Sequence, residues 1–203
     1  MTAERLRFIS DAIIPPMATV AIRIGLGPHA VSVIAFGCAI LAGASFYLAA
    51  TESLWYLAGA VLVMLNGMLD LLDGAIAREL DSESEAGDVL DHTLDRYADI
   101  ILIGGLALGV AQPLLGFLAV TGVLMTSYMG TQAQAVDFGR LYAGVLGRAD
   151  RLVLIAIVAV GMVIHGTDIY GLTLIGWLLV VFAVVGHLTA LQRFTIVWRG
   201  LRH

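Results

Sequence analysis

Lysine is absent from this 203-residue chain, and cysteine occurs once, at Cys38. Charge of either sign is scarce: 13% of residues are charged, against 60% hydrophobic. A single cysteine rules out an internal disulfide and a cysteine-based metal site. Without lysine, arginine carries every permanent positive charge on the side chains. So few charges do not suit a water-soluble domain of this size, and the mean hydropathy of +0.93 points to lipid as the solvent. The length fits one membrane domain over residues 1–203, with no room for a soluble partner domain. The first residues, MTAERLRFISDAIIPP, are too polar, and too interrupted by Asp11 and the Pro15–Pro16 pair, for a cleaved signal peptide. Sequence repeats and low-complexity linkers are also missing, and no nucleic-acid partner is expected.

What the chain does have is long apolar runs. Six approach the roughly 20 residues a bilayer requires, at about 30–50, 54–77, 89–110, 113–136, 152–166 and 170–192. The expected fold is all-α: a bundle of six transmembrane helices, each satisfying its own backbone in lipid. Residues 3–22 read as an interfacial helix broken at Pro15–Pro16, with Arg5, Arg7 and Arg23 at headgroup level. Arginine placement sets the orientation. Arg78, Arg96, Arg140, Arg199 and Arg202 fall on the same side as the N-terminal arginines, and the opposite loops hold none. The positive-inside rule then makes this a multi-pass protein of the cell membrane, with both termini at the cytoplasmic face.

The acids are concentrated in one segment, Asp70–Asp95, DLLDGAIARELDSESEAGDVLDHTLD. Asp70, Asp73, Asp91 and Asp95 fall where the flanking sequence is membrane-embedded. An ionisable residue at a bilayer centre costs roughly 2.5–3.5 kcal/mol on insertion scales, so four together mark a functional site. Asp70 and Asp73, three apart, share a helix face, as do Asp91 and Asp95, four apart. The polar loop between them returns the chain antiparallel, so the two pairs can converge. Hard carboxylate oxygens at this density suit Mg²⁺, Mn²⁺ or Ca²⁺ rather than zinc, and two ions could fit. Gly74 and Gly87 remove side chains where a ligand could approach the backbone, and Arg78 can reach a phosphate from the same face. The acids from Glu79 to Glu85 read as a solvated loop, and Asp88 as a helix N-terminal acid.

The spacing is D-x2-D-G-x2-A-R-x8-G-x3-D-x3-D with no position missing. It resembles the signature of the CDP-alcohol phosphotransferase family. The resemblance implies a CDP-linked lipid, CDP-diacylglycerol or CDP-archaeol, and a pair of divalent ions, Mg²⁺ or Mn²⁺. An acceptor hydroxyl attacks the phosphorus bearing the lipid, and CMP leaves. Carried onto the matching positions, Asp70, Asp73 and Asp91 are metal ligands. Asp95 completes the metal site or serves as general base. Gly74, Ala77, Arg78 and Gly87 line the CDP pocket. Pro28 and Ser32 resemble the family's cytidine-side N-terminal motif. A homodimer is a further family expectation.

A second region, Ser127–Arg151, bears on the acceptor. Arg148 and Arg151 are three apart before the fifth apolar run, and Arg193 lies at the same end of the sixth. Three guanidinium groups near a metal and phosphate cleft could hold a second phosphate bidentately, which favours a phosphorylated acceptor. The bland alternatives are membrane anchors or pairing with Asp150. The stretch Ile22–Ser32, the Ser127–Tyr128 pair and R-x2-R resemble the phosphatidylinositol phosphate and archaetidylinositol phosphate synthase branch. That implies inositol phosphate as acceptor, with Ser127 in its pocket. Gly130 and Gln132 stand where bacterial enzymes of that branch carry Lys and Arg. Glycerol phosphate is the alternative acceptor, and a divalent-cation transporter the alternative class. Asp99 could pair with Arg96 or a neighbouring helix, and His92 reads as a helix neighbour pointing elsewhere.

Overall fold

Apolar side chains on every face, only four prolines and short polar turns produce a chain of helices. A computed structural model describes residues 2–139, 141, 144, 146–166 and 168–202, with side chains from Ile13 onward. Arg140, His203 and the side chains of Arg5, Arg7 and Asp11 lie outside the described residues. Seven helices follow one another among the described residues: α1 Thr2–Arg23, α2 Pro28–Leu48, α3 Trp55–Glu79, α4 Glu85–Gly109, α5 Pro113–Ala135, α6 Arg148–Ile164 and α7 Leu174–Gly200. Helices α2, α3, α5 and α7 are long and apolar enough to cross a membrane. Helix α4 carries Glu85, Asp88, Asp91 and Asp95 of the Asp segment, and α6 has only 17 residues.

Helix α1 differs from the expected broken helix. It runs unbroken through Pro15 and Pro16, although each proline withdraws an N–H from the ladder. Buried residues on both sides of the pair, Ile14 before it and Ala18 and Ala21 after it, join one cluster with Val31, Leu72 and Ile76 of α2 and α3. That shared seat holds the two halves in line. Gly25, at φ +80°, then ends the helix: Leu26 N–H donates to the Ala21 carbonyl and Gly25 N–H to that of Ile22. This is a Schellman motif.

The main core joins α2 to α7, with α2 against α3 and α4, α3 against α6, and α5 against α7. Lipid offers no hydrophobic drive between helices, so close approach depends on small residues. A Cβ on Gly105 of α4 would lie 2.2 Å from the carbonyl oxygen of Gly43 on α2. A Cβ on Gly186 of α7 would lie 2.6 Å from the carbonyl carbon of Gly122 on α5. Gly104, by contrast, faces open space. The α2–α4 crossing sets the depth at which the Asp segment sits against α2.

Candidate active site

The Asp segment folds as the end of α3, a short loop and the start of α4. Helix α3 closes with another Schellman pair, Ser82 N–H to the Ala77 carbonyl and Asp81 N–H to that of Arg78, with Asp81 at φ +46°. Helix α4 opens on Ser84, whose hydroxyl accepts from Gly87 N–H at 3.1 Å. Glu85 and Asp88 in its first turn complement the helix dipole. The two caps turn the chain tightly enough to lay Asp70 and Asp73 beside Asp91 and Asp95.

All four carboxylates line one narrow cleft, with Ser32, Asn66, Leu94, Ala98 and Arg148. Asp73 and Asp95 are only 7% and 8% exposed. The charges of Asp70 and Asp91 act on both of them. Four mutually repelling carboxylates in a buried cleft call for cations. Arg148, the first residue of α6, supplies one: its guanidinium lies 2.6 Å from Asp70 Oδ2 and 2.7 Å from Asp95 Oδ1, tying α3 to α4. Ser32 of α2 donates to Asp73 Oδ2 at 2.6 Å. Asp91, His92 and Asp95 each offer a ligand atom within 4.8 Å of the others. His92 therefore stands beside the carboxylates rather than pointing away. The donor set, carboxylate oxygens with one imidazole in reach, fits Mg²⁺ or Mn²⁺.

The other motif residues frame this cleft. The guanidinium of Arg78 folds back along α3 towards Gly74, whose added Cβ would meet its NH1 at 3.4 Å. A Cβ on Gly87 would lie 3.2 Å from Ser84 Oγ and 3.3 Å from His29 Nε2. The first turn of α2, Pro28–His29, thus covers the start of α4. Ala77 is half-buried on α3, and Arg78 is exposed.

A second cleft, between α5, α6 and α7, is lined by Thr126, Leu146, Arg151 and Thr189 among others. Arg151 is buried and donates to Asp99 Oδ2 at 2.8 Å, so Asp99 pairs with a neighbouring helix. The buried Nε of Arg151 has no partner. Arg193 donates to the Thr126 carbonyl at 2.7 Å and lies close enough to Arg151 for the two charges to repel. A Cβ on Gly130 would come within 3.0 Å of Arg193 NH1, so the missing side chain makes room for that guanidinium. Asp150 pairs with neither Arg148 nor Arg151; it accepts from Gly147 N–H at 3.0 Å and caps α6. Arg148 lines the carboxylate cleft and not this one, and Ser127 lines neither.

Sequence reasoning missed Asn66, which is 2% exposed and donates from Nδ2 to the Ala35 carbonyl at 2.9 Å. A signal was present: a lone amide in an apolar run, four residues before Asp70.

The chain is 34% identical over 189 residues to the archaetidylinositol phosphate synthase of Methanothermobacter thermautotrophicus, covering 90% of this chain and 89% of the relative. It is 30% identical over 208 residues to the phosphatidylinositol phosphate synthase of Streptomyces avermitilis, covering 98% and 83%. The fold is similar to that of Mycobacterium tuberculosis phosphatidylinositol phosphate synthase crystallised with CDP-DAG bound. The TM-score is 0.78 at 25% identity, over 92% of this chain and 94% of that one. The same enzyme crystallised with manganese and citrate also gives a TM-score of 0.78 at 25% identity, over 92% and 89%. The family pattern for CDP-alcohol phosphatidyltransferase matches residues 26–185, and the chain belongs to that family.

Proposed function

We propose that this chain is a phospholipid-synthesis enzyme of the cell membrane that transfers a phosphatidyl or archaetidyl group from a CDP-lipid to inositol phosphate, releasing CMP. Helices α2 to α7 form six spans of one membrane domain, and α1 lies at the interface. Both termini and the active site face the cytoplasm, and the unit is a homodimer. The observation that carries the reading is the meeting of Asp70, Asp73, Asp91 and Asp95 in one cleft, with a second cleft between α5, α6 and α7 that the buried Arg151 lines.

Asp70, Asp73 and Asp91 would hold Mg²⁺ or Mn²⁺, two ions per site, which when bound would supply positive charge against the CDP pyrophosphate and the departing CMP. Ser32 fixes the rotamer of Asp73, leaving its other oxygen for a ligand. Arg78 reaches the pyrophosphate, and Gly74, Ala77 and Gly87 leave room for CDP beside Pro28. Asp95 accepts the proton of the acceptor hydroxyl as its oxygen bonds to the lipid-bearing phosphorus. The bond from that phosphorus to the bridging oxygen breaks, and the electron pair leaves with CMP. Arg151 and Arg193 hold the phosphate of the acceptor, since two neighbouring guanidinium groups are relieved by a shared anion. Ser127, next to Thr126 on α5, is proposed to meet the acceptor from that helix. Arg148, at the head of α6, reaches the same phosphate when it releases Asp70 or Asp95.

The test is divalent-metal-dependent CMP release by the purified protein in detergent, from a CDP-lipid with inositol phosphate. Release that stops on chelation supports the transferase. Metal flux through the protein in liposomes without any CMP release would replace it with the cation-transporter reading.

A further inference from the structure

Asn66 sits at the floor of the carboxylate cleft, on α3 one turn before Asp70. Its amide orientation is fixed by chemistry. The Ala35 carbonyl of α2, 2.9 Å away, can face only the NH₂ group. The other amide atom, Oδ1, is then a fixed acceptor. It is fully buried and has no hydrogen-bond partner. A buried acceptor left unmade costs about 1–3 kcal/mol, and position 66 would hold Leu or Ala without that cost. The polar groups that share the cleft are Ser32, Arg148 and the four carboxylates. The Ser32 hydroxyl is committed to Asp73. Arg148 forms ion pairs with Asp70 and Asp95, and its Nε, also buried and without a hydrogen-bond partner, makes no bond to Oδ1. Ionised carboxylates offer no proton, so Oδ1 shares the cleft with other acceptors. An acceptor among acceptors is what a cation ligates, and hard divalent ions take amide oxygens alongside carboxylates.

We propose that Asn66 is a further ligand-supplying residue of this site: its Oδ1 gives a neutral oxygen to the divalent cation held by the motif aspartates. This rests on the cation reading of the cleft given above. A neutral oxygen adds to the coordination number without adding to the repulsion among four carboxylates. Asn66 also has a second task, since its Nδ2 bond helps staple α3 to α2. The two tasks use different atoms, so they can be separated.

The probe is Mn²⁺ alone, titrated into detergent-purified full-length protein without substrates. Binding is read from loss of the free-ion electron paramagnetic resonance signal, and thermal stability is read in parallel without metal. In Asn66→Leu, Mn²⁺ affinity should fall roughly 10–100-fold, while the metal-free Tm stays within about 3 °C of the parent. Unchanged Mn²⁺ affinity with a lowered metal-free Tm would mean that Asn66 is only a helix staple, and would overturn the assignment. Asn66→Asp keeps an oxygen towards the cleft and loses the donor to Ala35. It should bind Mn²⁺ within about threefold of the parent or more tightly, and a fall of more than about tenfold would overturn the assignment even if the Leu variant does not fold. Asp91→Asn ties the measured ion to this cleft. If the parent binds no Mn²⁺, or Asp91→Asn binds it as the parent does, the cation reading itself falls, and the Asn66 assignment falls with it.

Discussion

Replacing Asp99 by Leu should be among the most damaging single changes outside the motif. Asp99 of α4 and Arg151 of α6 meet at 2.8 Å, with side chains 4% and 7% exposed. Removing the carboxylate leaves a guanidinium whose Nε is already unpartnered buried between helices. Breaking a buried pair from one side costs about 3–5 kcal/mol, because the remaining charge is uncompensated. For a chain of this size each kcal/mol moves Tm by roughly 2–4 °C, so the expected fall is about 6–20 °C. Arg151→Leu should fall by a similar amount, leaving Asp99 alone. The double variant Asp99→Leu/Arg151→Leu should regain most of the loss, since an apolar pair replaces an ion pair at little net cost. The assay is thermal unfolding of all four proteins in one detergent, read as a double-mutant cycle. A single-variant fall below about 3 °C, or a double variant no better than the worse single, would refute the argument. The pair would then be solvated, and Arg151 held by something other than Asp99.

Three further outcomes are expected. Asp95→Asn should abolish transfer while CDP-lipid binding survives in part, measured as turnover beside equilibrium binding; normal turnover would remove Asp95 from the base role. Arg193→Ala should raise the acceptor KM at least tenfold more than the CDP-lipid KM, because its guanidinium lies on the α5–α7 side of the bundle; equal effects on both would take it out of the acceptor pocket. Gly105→Ala should destabilise by about 1–3 kcal/mol, since the new methyl meets the Gly43 backbone. Gly104→Ala, with open space beside it, should leave Tm nearly unchanged, and equal melting of the two variants would contradict the close crossing.

Much of the site was legible because it is local. The eight spaced positions from Asp70 to Asp95 sit on two helix ends joined by one turn, and helical geometry alone pairs Asp70 with Asp73 and Asp91 with Asp95. Helices α2 to α6 match their apolar runs to within about four residues, because the runs are long and their ends polar, whereas α7 continues to Gly200, eight residues past the end of its run at 192. The ends drifted where the usual signals are missing. Asp81, Ala111 and Asp137 hold left-handed positions after α3, α4 and α5, where glycine is the ordinary marker. The start of α6 moved from 152 to Arg148 because its cap uses Gly147 and Asp150. Continuity of α1 through two prolines depends on packing against Leu72 and Ile76, which no local pattern encodes. Arg148 reaches Asp70 and Asp95, and Arg151 reaches Asp99, across more than 50 residues of sequence. Charge type predicted that such arginines would find anions; only the fold selects which ones. His92 and Asn66 were passed over for the same reason, being ordinary on their own helices and informative only once four carboxylates surround them.

Which acceptor the enzyme uses is decided by offering the candidates one at a time. Purified protein with Mg²⁺ or Mn²⁺ and a CDP-lipid, carrying acyl or isoprenoid tails, is offered inositol phosphate, glycerol phosphate, free inositol and serine in separate reactions. CMP release and product mass are followed together. Release with inositol phosphate is expected, with a lipid product carrying a second phosphate, and no product from free inositol or serine. Release with glycerol phosphate alone would keep the chemistry at Asp70–Asp95 and contradict the acceptor, and release with none of the four would contradict the transferase itself.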